Sequence, residues 1–217
     1  MTNPKLYFPE GPWQSLFDKA MQIFDQLENQ GHVIPSWSLG GGTVLMFYFD
    51  HRKSKDIDIF IRDPQLIAYL NPDRNDFVEG LVHHYYDNTD SIKLQLEEGD
   101  IDFVATEPLT ENYCTLETIR GREIRLETPV EIVAKKMYYR GMTAYARDLF
   151  DLALVIEREE KALKKYSSIF KKHATTFLHQ CHTRPALKDQ FNAIDKIKFD
   201  KSYEDCLQIA ETFLNSL

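Results

Sequence analysis

Asp56 and Asp58 stand one residue apart in the run DIDIFI, some fifteen residues after a turn made of Gly40, Gly41, Gly42 and Thr43. Ile57 and Ile59 alternate with them, so strand geometry puts both carboxylates on one face and both isoleucines on the other. Same-face neighbours on a strand lie roughly 6.5 to 7 Å apart. Like charges that close repel, and something positive is expected between or beside them. Carboxylates at this spacing can lean towards one cation or bridge two of them about 4 Å apart. Magnesium suits such a platform because it takes a few carboxylate oxygens and fills its other positions with water and substrate phosphates. Asp102, on the polar face of a later run GDIDF, offers a third carboxylate. The glycine turn has no bulk to block close backbone approach, and a helix starting at Thr43 would aim its free N–H groups at an anion. A phosphate loop beside a metal platform describes a nucleoside triphosphate site.

These residues must be positioned by a mixed set of elements. Residues 13–30 carry Trp13, Leu16, Phe17, Ala20, Met21, Phe24 and Leu27 at helical spacing, with Pro12 before and Gly31 after. Residues 36–40 read as a strand running into the turn, 43–49 as a short helix and 56–61 as the acidic strand. Short helices are expected near 64–70 and 76–84. A hairpin follows, in which Ile92, Leu94 and Leu96 alternate with Lys93 and Gln95, and Ile101 and Phe103 flank Asp102. Residues 122–127 read as a last strand. From Pro129 the pattern is helical, with helices expected over 129–140, 143–158, 161–181, 185–194 and 202–216. The fold class is therefore α+β: a small mixed sheet flanked by helices over residues 1–128, and a helical region over 129–217 packed on that core.

Composition narrows the classes. The chain has 217 residues, 43% hydrophobic and 28% charged, which is ordinary for a globular protein of one domain with an extension, or two small ones. No run approaches the roughly 18 apolar residues of a membrane span. The start MTNPKLYFPEGP lacks a basic stretch followed by an apolar one, so no secretory signal is expected. Cys114, Cys181 and Cys206 are odd in number and widely spaced, which suits a reducing, cytoplasmic setting better than a disulfide framework. His83, His84 and the HQCH run at 179–182 lack ligand partners at useful spacing and read as ordinary surface or partly buried residues. Net charge is −8, yet residues 161–188 hold seven cations (Lys161, Lys164, Lys165, Lys171, Lys172, Arg184, Lys188) and no acid. Such a segment is either a nucleic-acid footprint or a solvated helix face.

Taken singly, the acidic strand and the glycine turn are weak signals. Their ordered combination is more specific: a strand, Gly41-Gly42-Thr43, a short helix, Arg52-x-Ser54-x-Asp56-x-Asp58 and a later strand with Asp102. In this combination the sequence resembles the nucleotidyltransferase superfamily of the DNA polymerase β type, and within it the AbiEii/AbiGii toxin branch. The resemblance continues in PVEIVAKK, which places a lysine at Lys136, and in ARDLFDL, which supplies Arg147, Asp148 and Asp151. It spans about residues 36–155.

The resemblance implies magnesium-dependent transfer of a nucleoside monophosphate from a nucleoside triphosphate to a hydroxyl. It implies that Asp56, Asp58 and Asp102 hold one or two magnesium ions, with Asp102 helping to deprotonate the attacking hydroxyl. Gly41, Gly42, Thr43, Arg52, Ser54 and Lys136 would contact the nucleotide, and Asp148 would lie near it. Lys135 is adjacent, and the register between Lys135 and Lys136 stays open. Without the strand motif, Lys136, Arg140, Arg147 and Asp151 would read as an exposed helix with ion pairs four residues apart. The acceptor implied is an RNA, through residues 161–188, or a protein, with an antitoxin as partner and no membrane. Two other readings stand beside it: a domain that binds a nucleotide or a partner without turnover, and a small-molecule (antibiotic) nucleotidyltransferase. A degenerate member would lose a motif carboxylate, and here all three are present, which favours the enzyme.

Overall fold

The computed structural model describes residues 5–217, so the first four residues of the MTNPKLYFPEGP run lie outside it. The chain divides into two compact units. One comprises the residues up to Phe47 with Ser54–Pro108 and Cys114–Glu127, and the other comprises Tyr48–Lys53, Leu109–Tyr113 and Thr128–Leu217.

The first unit is built on a seven-stranded mixed sheet: β1 (Trp37–Gly40), β2 (Ile57–Ile61), β3 (His84–Asn88), β4 (Ser91–Gln95), β5 (Asp100–Ala105), β6 (Cys114–Ile119) and β7 (Arg122–Glu127), in the order β3-β4-β5-β2-β1-β7-β6. The β2–β5 and β1–β7 pairs are parallel and the other four are antiparallel. Helix α1 (Trp13–Asn29) has the expected apolar stripe and packs on β2 and β5. The ring of Phe24 lies 5.3 Å from Trp37 and 5.6 Å from Phe103. Ile57, Ile59, Ile61, Ile101 and Phe103 are fully buried beneath the sheet. Period-two alternation therefore leaves Asp58 and Asp102 on the opposite, more open face. Helices α2 (Gly41–Phe49), α3 (Gln65–Leu70) and α4 (Asp76–Glu79) connect the early strands.

The second unit is helical: α5 (Pro129–Arg140), α6 (Ala146–Lys164), α7 (Ser167–Lys171), α8 (Ala174–Thr183), α9 (Pro185–Asn192) and α10 (Tyr203–Asn215). Thr128 caps α5 by accepting from the Glu131 N–H, with Pro129 in the first turn. Ser202 and Asp205 cap α10 reciprocally. The core is aromatic, with Phe150 5.5 Å from Phe191 and 5.1 Å from Phe199.

The α+β architecture and most elements match the sequence reading, with four differences. Helix α2 begins at Gly41 and not at Thr43, so the glycines form its first turn. The expected helix 76–84 is cut to the four residues of α4, and its end passes into β3. Strand β6 was not anticipated. The expected helix 161–181 is divided among the end of α6, α7 and α8, with the breaks at Tyr166 (φ −111°, ψ 31°) and His173 (φ −127°, ψ 10°). Neither break carries a Pro or Gly, which is why the sequence gives no sign of it.

Candidate active site

A single row of residues crosses the sheet where the acidic strand lies. Gly40 of β1 is in register with Asp58 of β2, Asp58 with Asp102 of β5, and Asp102 with Lys93 of β4. Adjacent strands are about 4.8 Å apart, so the order across the sheet is no side chain, two carboxylates, then an ammonium. The expected positive neighbour is thus Lys93, whose Nζ lies 2.7 Å from Asp102 Oδ2 and 3.3 Å from Asp100 Oδ2.

The glycine turn is shaped by this row. Gly41 has a φ of +70°, and a Cβ there would fall 1.8 Å from Asp58 Oδ2. At Gly40 a Cβ would fall 2.4 Å from Glu127 Oε2 and 2.6 Å from the Phe60 ring. These two positions need glycine because the Asp58 and Glu127 carboxylates press against the backbone, and at Gly41 also because a left-handed φ costs an L-residue energy. Thr43 is fully buried, and its hydroxyl donates to the backbone carbonyl of Asp56. It ties the first turn of α2 to the residue that precedes the acidic strand. Asp56 lies just before β2, and its Oδ1 accepts from the Asp100 N–H at 3.1 Å. Gly42 and Ser54 are half-buried near the two ends of the same stretch.

Burial, and next to it the charge of Asp58, pushes the Asp102 carboxyl up to about 6, against the opposing pull of Lys93. Lys93 itself is raised: burial alone would lower it, but the hydrogen bond and charge of Asp102 and the charge of Asp100 outweigh that. Among the described residues no three His, Cys, Asp or Glu side chains are gathered so as to hold a metal ion. Of the three expected carboxylates, Asp58 and Asp102 face each other on neighbouring strands, and Asp56 is turned to the Asp100 amide. The pair still fits magnesium, whose sites commonly use one or two carboxylates with water and substrate phosphates completing the shell. Its donors are hard oxygens, and the mutual repulsion felt by Asp102 is what a cation would relieve.

The second unit holds a separate charged grouping. Asp151, fully buried, accepts from Arg52 Nε and Nη2 at 2.9 Å each, from Lys136 Nζ at 2.6 Å, and lies 2.9 Å from His51 Nε2. Burial opposes its charge, but Arg52 and Lys136 win and hold it well below the usual carboxylate range. Asp148 is also buried and also lowered; burial again opposes, and Lys136 at 2.9 Å and Arg140 at 2.7 Å prevail. His51 is lowered, chiefly by burial and against the pull of Asp151. Its Nδ1 is buried without a hydrogen-bond partner. Arg52 is 2% exposed and paired with Asp151, so in this conformation it braces the unit. Lys135 lies 3.6 Å from Glu131, whose carboxylate in turn accepts from the Leu109 and Thr110 N–H groups and the Thr110 hydroxyl. Arg147 is exposed.

Sequence reasoning missed two of these participants, Lys93 and His51, and the buried role of a third, Asp151. Lys93 was on the polar face of the hairpin, and the register that sets it opposite Asp102 was the missing information. His51 and Asp151 meet across 100 residues of chain, a separation no local pattern can bridge.

Comparison with known proteins gives the family of the chain. A profile of the family described as "Nucleotidyl transferase AbiEii toxin, Type IV TA system" matches residues 27–213. No curated protein matches. Among solved structures, a candidate nucleotidyltransferase of H. pylori shares 16% identity and a TM-score of 0.50, over 96% of this chain and 97% of that one. ANT(2″)-Ia, solved with adenylyl-2″-tobramycin, shares 16% identity and a TM-score of 0.50, over 72% of this chain and 95% of that one. The nucleotidyltransferase toxin MenT4 of Mycobacterium tuberculosis shares 15% identity and a TM-score of 0.49, over 93% of this chain and 85% of that one. With its profile match running from the end of α1 into α10, the chain belongs to the AbiEii toxin family of nucleotidyl transferases.

Proposed function

We propose that the protein transfers a nucleoside monophosphate from a nucleoside triphosphate to a hydroxyl of an RNA, with magnesium, as the toxin of a toxin–antitoxin pair. The observation that carries the reading is the facing pair Asp58 and Asp102, set beside a glycine turn that has no room for a side chain. Asp58 and Asp102 would hold the cation, with Asp56 fixing the strand start from which they project. Magnesium, when bound, would draw charge from the phosphate oxygens. The first N–H groups of α2, at Gly41, Gly42 and Thr43, lack helical partners and suit a phosphate oxygen. Asp102 would also help to take the proton of the attacking hydroxyl, the role the family resemblance gives it. Lys136 and Asp148 keep the roles the family resemblance gives them, a phosphate contact and a nearby acid.

No helix among the described residues is long and apolar enough to cross a membrane. The cytoplasm, with its RNA, triphosphates and magnesium, is the compartment that suits this reaction. The test incubates the protein with each labelled triphosphate, magnesium and, in turn, total RNA, cell lysate and aminoglycosides. Labelled RNA is expected with the native chain and none with Asp58→Ala. A labelled protein band or a labelled small molecule, with RNA unlabelled, would replace the RNA acceptor by that one.

A further inference from the structure

We infer that the elbow joining α5 to α6, with the adjoining edge of α8, receives an unpaired strand of the RNA acceptor; this rests on the RNA reading above. The elbow is made by two stretches of sequence without a single acid, residues 132–147 and 161–188. They fold against each other. The Gln180 side chain accepts from the Ala144 N–H at 2.9 Å and donates to the Met142 carbonyl, and Arg184 Nη1 donates to the Ala144 carbonyl at 3.3 Å. Lys172 Nζ sits 3.5 Å from the centre of the Tyr138 ring, and Arg140 lies over Tyr145 at 5.4 Å. The result is a surface with exposed Arg140, Arg147, Lys172 and Arg184, in a chain whose net charge is −8. The acid beside it, Asp148, is buried and held by Lys136 and Arg140.

Large side chains stand open on the same surface: Tyr139 is 57% exposed, Met142 61% and Tyr145 48%. Exposed aromatics interleaved with cations are what a single strand needs, since phosphates take the charge and base faces stack on the rings. A duplex offers its phosphates but hides its base faces, so the tyrosines favour unpaired nucleotides. The rest of the basic segment is less available. Lys164 is paired with Glu160 at 2.6 Å, and Lys188 with Glu204. Of the cations in 161–188, Lys172 and Arg184 are thus the two that the contacts with α5 and the elbow bring to this surface.

The experiment measures binding of a labelled mixed-sequence single-stranded RNA to the full chain by fluorescence anisotropy, without triphosphate, with the same RNA as a duplex and with polyglutamate as competitors. Tyr139→Ala with Tyr145→Ala should weaken binding by roughly tenfold or more, because each lost stack is a multiplicative factor. Tyr139→Phe with Tyr145→Phe should restore it, and both variants should melt as the native chain does. Lys172→Ala should reduce the slope of log affinity against log salt by roughly 0.7, the single-strand value for one phosphate contact. Lys164→Ala with Lys188→Ala should leave it. Unchanged affinity in the double alanine variant, preference for the duplex, or displacement by polyglutamate at lower concentration than by RNA would each overturn the inference, the last in favour of an acidic protein partner. Asp58→Ala separates the two readings. If native protein and Asp58→Ala bind RNA equally through the tyrosines but nothing is ever labelled, the transfer reading fails and this one stands. If RNA is labelled and the tyrosine variants bind normally, the reverse holds.

Discussion

Asp58 and Asp102 face each other across the parallel strands β2 and β5, with Gly40 beyond one carboxylate and Lys93 beyond the other. The pair is strained electrostatically, and that strain is measurable apart from catalysis. Asp102 is raised to about 6 from 3.8, so the native state holds this proton more tightly than the unfolded chain. Stability from this group is therefore complete below about pH 4 and is lost as pH rises through about 6, by about 1–3 kcal/mol. Burial is the larger cause of the shift, so Asp58→Asn, which removes only the repulsion, should lessen that part of the pH–stability curve without erasing it, while abolishing transfer. Magnesium should raise the melting temperature of the native chain at pH 7 and not that of Asp58→Asn. Equal magnesium responses would remove the pair from the metal site.

Gly41 and Gly31 both have positive φ, at +70° and +90°, but only Gly41 is crowded. Gly31→Ala should cost about 1–2 kcal/mol, the left-handed penalty alone. Gly41→Ala adds a collision with the Asp58 carboxylate and should cost more while abolishing triphosphate binding. Denaturant titration beside isothermal calorimetry decides it; two equally mild substitutions would show that the turn yields.

Asp151 is the common acceptor for Arg52, Lys136 and His51. Asp151→Asn leaves the buried Arg52 and the half-buried Lys136 short of their counter-charge and should cost about 3–5 kcal/mol. Because the folded carboxyl lies well below 3.8, its contribution is fully present above about pH 4 and is lost as pH falls through the folded value. Acid unfolding followed by circular dichroism should shift to higher pH in Asp151→Asn; an unmoved acid transition would mean that other carboxylates dominate it.

Lys136 and Lys135 are distinguished by their partners, since Lys136 serves Asp148 and Asp151 while Lys135 serves Glu131. Lys136→Ala should cost about 1–3 kcal/mol and weaken triphosphate binding. Lys135→Ala should leave triphosphate binding within about twofold. The opposite order in equilibrium binding would shift the family register by one residue.

What was legible in the sequence followed from one-sided burial. The alternation around Asp58 and Asp102, the stripe of α1 and the Thr128-Pro129 entry to α5 each report a face turned to a core. Strands β3 and β6 escaped because they are the two edges of the sheet, where His84–Asn88 and Cys114–Ile119 bury little and so do not alternate. The candidate site was legible where chemistry and spacing coincide, at Asp58, Asp102 and the glycine turn, whose shared face follows from strand alternation. It was not legible where it depends on which strand lies beside which, as for Lys93. Thr43 and Arg52 belong to the motif, yet their side chains are spent on the Asp56 carbonyl and on Asp151, roles that only a folded arrangement assigns.

The interleaving of the two units along the chain bears on how this protein can be divided or recombined. The polypeptide passes from one unit to the other five times, at 47–48, 53–54, 108–109, 113–114 and 127–128. A gene fragment ending at Glu127 would carry His51 and Arg52 without Asp151, and one beginning at Thr128 would carry the Glu131 carboxylate without the Leu109 and Thr110 amides it receives. No single cut yields two self-sufficient halves. Relatives that exchange helical regions through a crossover near residue 128 would inherit mismatched buried charges unless residues 48–53 and 109–113 travelled with them, so the chain should diverge as one heritable block and not as a shuffled pair of modules.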